Sequence, residues 1–118
     1  MHGVGLDLLD IARLEQALER RPRLAARLFS DAELAYAGAH ARPGQHLAAR
    51  FCAKEAVTKA LGLDVLRPLE IEVVRDAAGR PSVALAGIAA ARARELGTTV
   101  LVTLTHTAVT AGAVAVAA

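Results

Sequence analysis

A chain of 118 residues with 54% hydrophobic and 22% charged side chains is long enough for one domain and too apolar for disorder. Aromatic residues make up only 3%, so the core must be built from Ala, Leu and Val, and the stacking platforms that single-stranded nucleic acid needs are absent. The net charge of +2 is mild, and a single cysteine, Cys52, excludes an internal disulfide or a thiolate metal cluster and favours a reducing, cytoplasmic setting. No stretch reads as a signal peptide or membrane span, because the apolar run after Val109 is short and broken by Gly112.

In chain order, Val4 to Leu8 reads as a strand, interrupted by Gly5 and Asp7. Ile11 to Arg20 has helical spacing with Asp10 as N-cap, and Pro22 ends it. Arg13, Arg20, Arg21, Arg23 and Arg27 crowd this segment, opposed by Glu15 and Glu19. Such a surface suits an acidic or phosphate-bearing partner, but a solvated face with pairs such as Glu15–Glu19–Arg23 accounts for it more simply. Ser30 and Glu33 have capping-box spacing and predict a short helix to about Ala37. Gly38 to Gln45 reads as a loop, and a long helix is predicted from Gln45 to Leu61. Leu69–Val74 and Pro81–Leu85 are strands around a hairpin at residues 76–80. Ile88 to Leu96 is a helix closed by Gly97. Thr99–Thr105 and Ala108–Val116 are an antiparallel pair rich in β-branched residues. A strand, then helices, then mostly strands indicates an α+β fold.

The stretch Arg50 to Gly62 places Glu55, Lys59 and Gly62 on one helical face amid apolar residues. An i,i+4 Glu55–Lys59 pair would explain the two charges on their own. Asp7 is a second carboxylate in an apolar setting, needing a metal, an arginine or backbone N–H groups unless it merely ends a strand. Two carboxylates with no Cys/His partners suit Mg²⁺, which keeps waters and takes substrate phosphates, and do not suit structural zinc. His106, in Thr105-His106-Thr107, stands where two strands meet and could serve a phosphate or a proton transfer, or be a turn histidine. His2, His40 and His46 read as surface residues, Cys52 as a small core residue, and Ser30 as a cap rather than a nucleophile. There is no Walker A loop and no G-x-G-x-x-G.

Together the motifs are more specific. Gly5-Leu6-Asp7 with Arg13, Phe29-Ser30-x-x-Glu33, Arg50-Phe51-x-Ala53-Lys54-Glu55-Ala56-x-x-Lys59-Ala60-x-Gly62, Gly79-Arg80-Pro81, and Thr105-His106-Thr107 before an Ala/Val-rich final strand are similar to the holo-acyl-carrier-protein synthases, the small class of 4′-phosphopantetheinyl transferases. The resemblance implies an antiparallel sheet packed on a long central helix, a homotrimer, and transfer of phosphopantetheine from coenzyme A to a serine of an acyl carrier protein. It further implies Asp7 and Glu55 as Mg²⁺ ligands, with Lys59 at the pyrophosphate and Arg50, Thr58, Gly62 and His106 lining the coenzyme A site. Arg13, Arg20 and Arg23 would receive the acidic carrier. Pro22 and Cys52 depart from the family's usual residues, and residues 38–45 match no pattern. A silent oligomer that binds a carrier or a nucleotide is the alternative reading, to which the joint presence of Asp7, Glu55, Lys59 and His106 is opposed.

Overall fold

A computed structural model describes residues 1–118 and begins with the strand β1, Gly3–Asp10. Helix α1 (Ile11–Arg20) follows directly, because the Asp10 carboxylate accepts the Ala12 N–H at 3.0 Å and caps it. Pro22 does end α1, but a five-residue helix α2 (Leu24–Leu28) lies beyond it, which propensity alone does not mark. Ser30 caps α3 (Asp31–Gly38), and both bonds of the capping box are made with Glu33.

The long helix α4 runs from Pro43 to Ala60. Its start lies two residues before Gln45, because Pro43 is tolerated in the first turn, where no N–H partner is needed. The loop is therefore shorter than 38–45, and its last residue makes structural bonds. Arg42 grips the Glu15 carboxylate with two bonds, at 3.1 and 2.9 Å, and also donates to the Ala108 carbonyl. Gln45 donates to the Thr107 carbonyl at 3.0 Å. These bonds fasten the turn after His106 to α1 and to the start of α4.

Beyond α4, a 3₁₀ turn (Pro68–Glu70) takes up Leu69 and Glu70, so β2 is Ile71–Arg75 and starts later than its apolar run suggests. β3 (Pro81–Leu85) returns antiparallel through a turn in which the Asp76 carboxylate accepts the Ala78 and Arg80 N–H groups. Helix α5 (Gly87–Leu96) ends at Gly97, whose φ of 62° is the left-handed conformation that favours glycine. β4 (Val100–His106) and β5 (Thr110–Ala117) complete an antiparallel sheet of order β1-β5-β4.

The core lies between this sheet and α4. Ala111, Ala113, Ala115 and Ala117 of β5 alternate onto the inner face and are buried, facing Ala53, Ala56 and Ala60 of α4. Small residues on both surfaces let the backbones approach closely. On β1 the approach is closer still: a methyl group at Gly5 would stand 1.9 Å from the Ala56 carbonyl oxygen, and one at Gly3 2.1 Å from that of Ala60. The outer face of the same sheet is uncovered, leaving Val4, Leu6, Leu8 and Leu101 between 58% and 66% exposed.

A buried ion pair ties the second layer to α4. The Lys54 ammonium is wholly buried and donates to Glu33 at 2.8 Å, to the Ile71 carbonyl at 2.7 Å and to the Pro68 carbonyl at 2.6 Å. Glu33 also accepts the Ser30 and Val73 N–H groups, each at 2.9 Å. Both charges therefore have partners, which is the condition for keeping such a pair in a low dielectric. Nothing in the sequence around Lys54 marks it for this role, whereas its neighbours Glu55 and Lys59 stand out.

The close packing at Gly5 generates a comparison. Gly5→Ala is expected to lose about 3 kcal/mol of stability or more, because the clash is with helix backbone. Gly38→Ala, with nothing within 4 Å of the added methyl and an ordinary φ, should leave stability unchanged or raise it by up to about 1 kcal/mol. Urea unfolding of the two variants checks both.

Candidate active site

Alternation along β1 sends Gly3, Gly5 and Asp7 to the same face, toward α4. Where the glycines end, the first side chain available to meet the helix is the Asp7 carboxylate. Lys59 comes down to it from α4, with Nζ 3.3 Å from Asp7 Oδ1 and donating to the Leu6 carbonyl at 3.0 Å. The simple Glu55–Lys59 pair is thus not what forms. Lys59 turns to Asp7, and Glu55 takes part in none of the five ion pairs.

Glu55 nevertheless senses both neighbours. Burial raises its pKa above the ordinary carboxylate range, Asp7 raises it further, and Lys59 only partly opposes them. Cys52, one turn earlier on α4, is fully buried and reaches the Ala111 carbonyl at 3.6 Å. Burial first, and then Asp7, push its thiol up to about 12, so it stays protonated and unreactive. The core role expected for Cys52 is correct, and the thiol also lies close enough to Asp7 to feel its charge.

Arg50 is 4% exposed, lies 3.9 Å above the Tyr36 ring, and has a buried Nε without a hydrogen-bond partner. His106, at the end of β4, is exposed and meets His46 edge to face at 5.7 Å between ring centroids. His46 also stacks on His40 at 3.9 Å, and His40 Nδ1 lies 2.8 Å from the Tyr36 carbonyl oxygen. The reading of His40 and His46 as surface residues is therefore corrected. Both are partly buried in one aromatic cluster, brought together because α3 and the start of α4 are joined by only a few residues.

Thr58 and Gly62 have local explanations. Thr58 is buried and spends its hydroxyl on the Lys54 carbonyl, 2.7 Å away, one turn back in the same helix. Gly62 lies beyond the last turn of α4 with φ of 66°, a conformation that itself favours glycine. Arg13, Arg20 and Arg23 are all exposed or nearly so and enter no ion pair. The expected Glu15–Glu19–Arg23 pairing does not form: α1 ends at Arg20, so Glu19 and Arg23 do not share a helix, and Glu15 is held by Arg42, whose hydrogen bonds lower the Glu15 pKa. Arg21 and Arg27 join the others around the shallow depressions next to Leu24.

No group of three His, Cys, Asp or Glu side chains is placed to hold a metal ion, so a cage built wholly from protein is not available. Asp7 and Glu55 fit a different kind of cation. The Asp7 charge raises the cost of ionising Glu55, and of the two carboxylates the lysine beside them bonds only that of Asp7. Mg²⁺, a hard ion that keeps waters and shares its remaining positions with phosphate oxygens, matches that donor set.

The chain belongs to the 4′-phosphopantetheinyl transferase superfamily, whose family model matches residues 3–111. It is 50% identical to the holo-[acyl-carrier-protein] synthase of Moorella thermoacetica over 114 residues, covering 94% of this chain and 89% of that protein. It is 47% identical to the holo-[acyl-carrier-protein] synthase of Streptomyces coelicolor over 117 residues, covering 98% and 95% respectively. Among solved structures, the ACPS–CoA complex of Chronobacterium ammoniagenes superposes with a TM-score of 0.84 at 29% identity, covering 96% of this chain and 93% of that one.

The electrostatics of the seam set a test with opposite signs. Without metal, Glu55→Gln relieves a partly buried carboxylate repelled by Asp7. It should raise Tm above pH 6 by roughly 2–4 °C, the change that about 0.5–1 kcal/mol produces in a domain of this size. The raised pKa gives the sign, since the native-state penalty exists only where Glu55 is ionised and vanishes on acidification. With Mg²⁺ the wild type should gain stability and the variant should not. Thermal melts with and without the ion check both.

Proposed function

We infer that the chain transfers the 4′-phosphopantetheine arm of coenzyme A to a serine of an apo-acyl carrier protein, releasing adenosine 3′,5′-bisphosphate. The observation that carries this reading is the convergence of Asp7, Glu55 and Lys59 at the seam of β1 and α4, in a member of a superfamily of that chemistry. Transfer of this kind depends on positioning and on charge neutralisation more than on a covalent intermediate with the enzyme. The attacking hydroxyl belongs to the carrier, which explains why no nucleophile motif is present.

In this reading Asp7 and Glu55 hold Mg²⁺, which when bound supplies positive charge to the pyrophosphate and polarises the phosphorus under attack. Lys59 has a side chain 53% exposed and only two bonds to give up, so its ammonium can turn from Asp7 to the leaving oxygens and hold a proton there at Nζ. Arg50 brings guanidinium donors that the protein has not used, notably Nε, and His106 offers its ring from the end of β4. Thr58 supports the helix turn below, and Gly62 leaves the exit of α4 open, with only Arg92 near the position of a missing side chain. Arg13, Arg20 and Arg23 give the carrier's acidic surface a set of guanidinium groups with no competing ionic partner in the chain.

The assembly proposed is a homotrimer. The outer face of the sheet, with Val4, Leu6, Leu8 and Leu101 exposed, is the kind of apolar patch that a small domain covers with another subunit. No helix of the chain is long and apolar enough to cross a membrane. A cytoplasmic location belongs to the same reading, with Cys52 a free thiol.

Mass spectrometry tests the whole reading in one experiment. Incubated with coenzyme A, Mg²⁺ and an apo-acyl carrier protein, the wild type should add one phosphopantetheine to the carrier and run as a trimer under native conditions. Asp7→Ala and Glu55→Ala should remain folded trimers with transfer reduced by about 10³-fold or more, the scale of losing a charge-stabilising group at the reacting centre. Unmodified carrier after incubation with the wild type, across several carriers, would favour a silent binding protein.

A further inference from the structure

The aromatic cluster beside Arg50 holds three basic groups, His40, His46 and Arg75, that the transfer reaction has not used. Five basic groups from four parts of the fold meet there: His40 after α3, His46 and Arg50 on α4, Arg75 at the end of β2, and His106 at the end of β4. Tyr36 of α3 is the common platform. Arg50 lies 3.9 Å above its ring and Arg75 4.8 Å from it, while the rings of His40 and His46 stand 4.6 and 5.7 Å away. None of these five groups is in an ion pair with a carboxylate. The one carboxylate that Arg50 senses, Glu33, is already committed to Lys54 and to the Ser30 and Val73 N–H groups. The buried Arg50 Nε is left without a partner.

A concentration of cationic and neutral basic groups with no counter-charge is unfavourable in the free protein and is relieved by an anion. Histidine has a second way to relieve it, by giving up its proton. Burial first, and then His40, His106, Arg50 and Arg75, hold His46 below the ordinary histidine range, so it is neutral near pH 7. A neutral imidazole offers a phosphate one N–H, and an imidazolium offers two and a charge. A polyanion placed among these groups reverses the field at His46 and makes the imidazolium the favoured form.

Resting on the reading of this chain as a coenzyme A-dependent transferase, we propose that His46, stacked on His40, is a proton-linked ligand for the phosphate groups of the nucleotide, so that the site takes up a proton from solvent as the polyanion binds. His46 and His40 lie outside the motifs of the family resemblance, and the linkage would be a property of this chain's own α3–α4 junction. Its consequence is a preference for binding at lower pH. Net uptake of one proton weakens affinity about tenfold for each pH unit between the free and bound pKa values of His46.

Isothermal titration of coenzyme A into the wild-type protein, with saturating Mg²⁺, tests this in HEPES and in Tris, whose ionisation enthalpies differ. At pH 7.5 the two apparent enthalpies should differ by the amount expected for uptake of about half to one proton per site, and Kd should rise with pH from about 6.5 to 8. His46→Gln should still bind coenzyme A, with the uptake and most of the pH slope gone, and His40→Gln should reduce both. If His46→Gln does not fold, the imidazole signals of ¹³C-labelled wild type supply the same answer, since the pKa of His46 must rise on adding coenzyme A. Binding without proton uptake, or with a slope that His46→Gln leaves intact, would overturn the linkage and leave the transferase reading standing. Failure of the wild type both to bind coenzyme A and to modify a carrier would overturn the transferase reading, and the linkage with it.

Discussion

Everything at the seam of β1 and α4 depends on how near a helix backbone can come to a strand. Gly3 and Gly5 present no side chain, and the carbonyl oxygens of Ala56 and Ala60 occupy the space where methyl groups would stand. Helix α4 therefore rests on the strand itself. The next inward residue, Asp7, then lies level with the turns of α4 that carry Cys52, Glu55 and Lys59, and its charge is felt by both Cys52 and Glu55. A larger residue at Gly5 would lift the helix and separate the groups that give the site its electrostatics. The same principle serves the neighbouring strand, where alternate alanines of β5 keep the sheet close along the helix.

The second constraint fixes α4 from its other side. Lys54 points away from the seam and is buried against Glu33, the 3₁₀ turn and β2. Adjacent residues thus have opposite assignments. Lys54 is locked, with burial lowering its pKa and Glu33 partly restoring it, while Glu55 faces the seam without an ionic partner. Breaking a buried pair leaves an uncompensated charge and costs about 3–5 kcal/mol, so the pair resists rotation of α4 about its axis. The rotation it prevents is the one that would carry Glu55 away from Asp7.

Local chemistry is the most legible part of the sequence. The Asp10 cap, the Ser30–Glu33 box and the left-handed Gly97 each have a signature confined to a few residues, and each forms as expected. The fold class and the long helix follow from periodicity and from the motif of residues 50–62. Choices between partners distant in sequence stay hidden. Glu55 and Lys59 are neighbours on a helix, so a pair between them is the natural expectation, and only the arrival of Asp7 from β1 offers the lysine another carboxylate. Lys54 looks like one more charge because nothing local says that Glu33 will be buried opposite it. His40 and His46 look exposed because their cluster needs α3, α4 and β4 together. Helix α2 escapes a local reading because Pro22 marks the end of one helix and carries no signal for the start of another.

In the proposed function the seam holds a cation between Asp7 and Glu55, with Lys59 released from Asp7 to serve the phosphates. Crystals grown with coenzyme A and Mn²⁺, a stand-in for Mg²⁺ with an anomalous signal, test it most directly. One anomalous peak bonded to carboxylate oxygens of both Asp7 and Glu55 and to a phosphate oxygen is expected, with Lys59 Nζ moved from Asp7 to the nucleotide. A peak bound by neither carboxylate, or coenzyme A seated with Lys59 still on Asp7 and no ion beside Glu55, would contradict it.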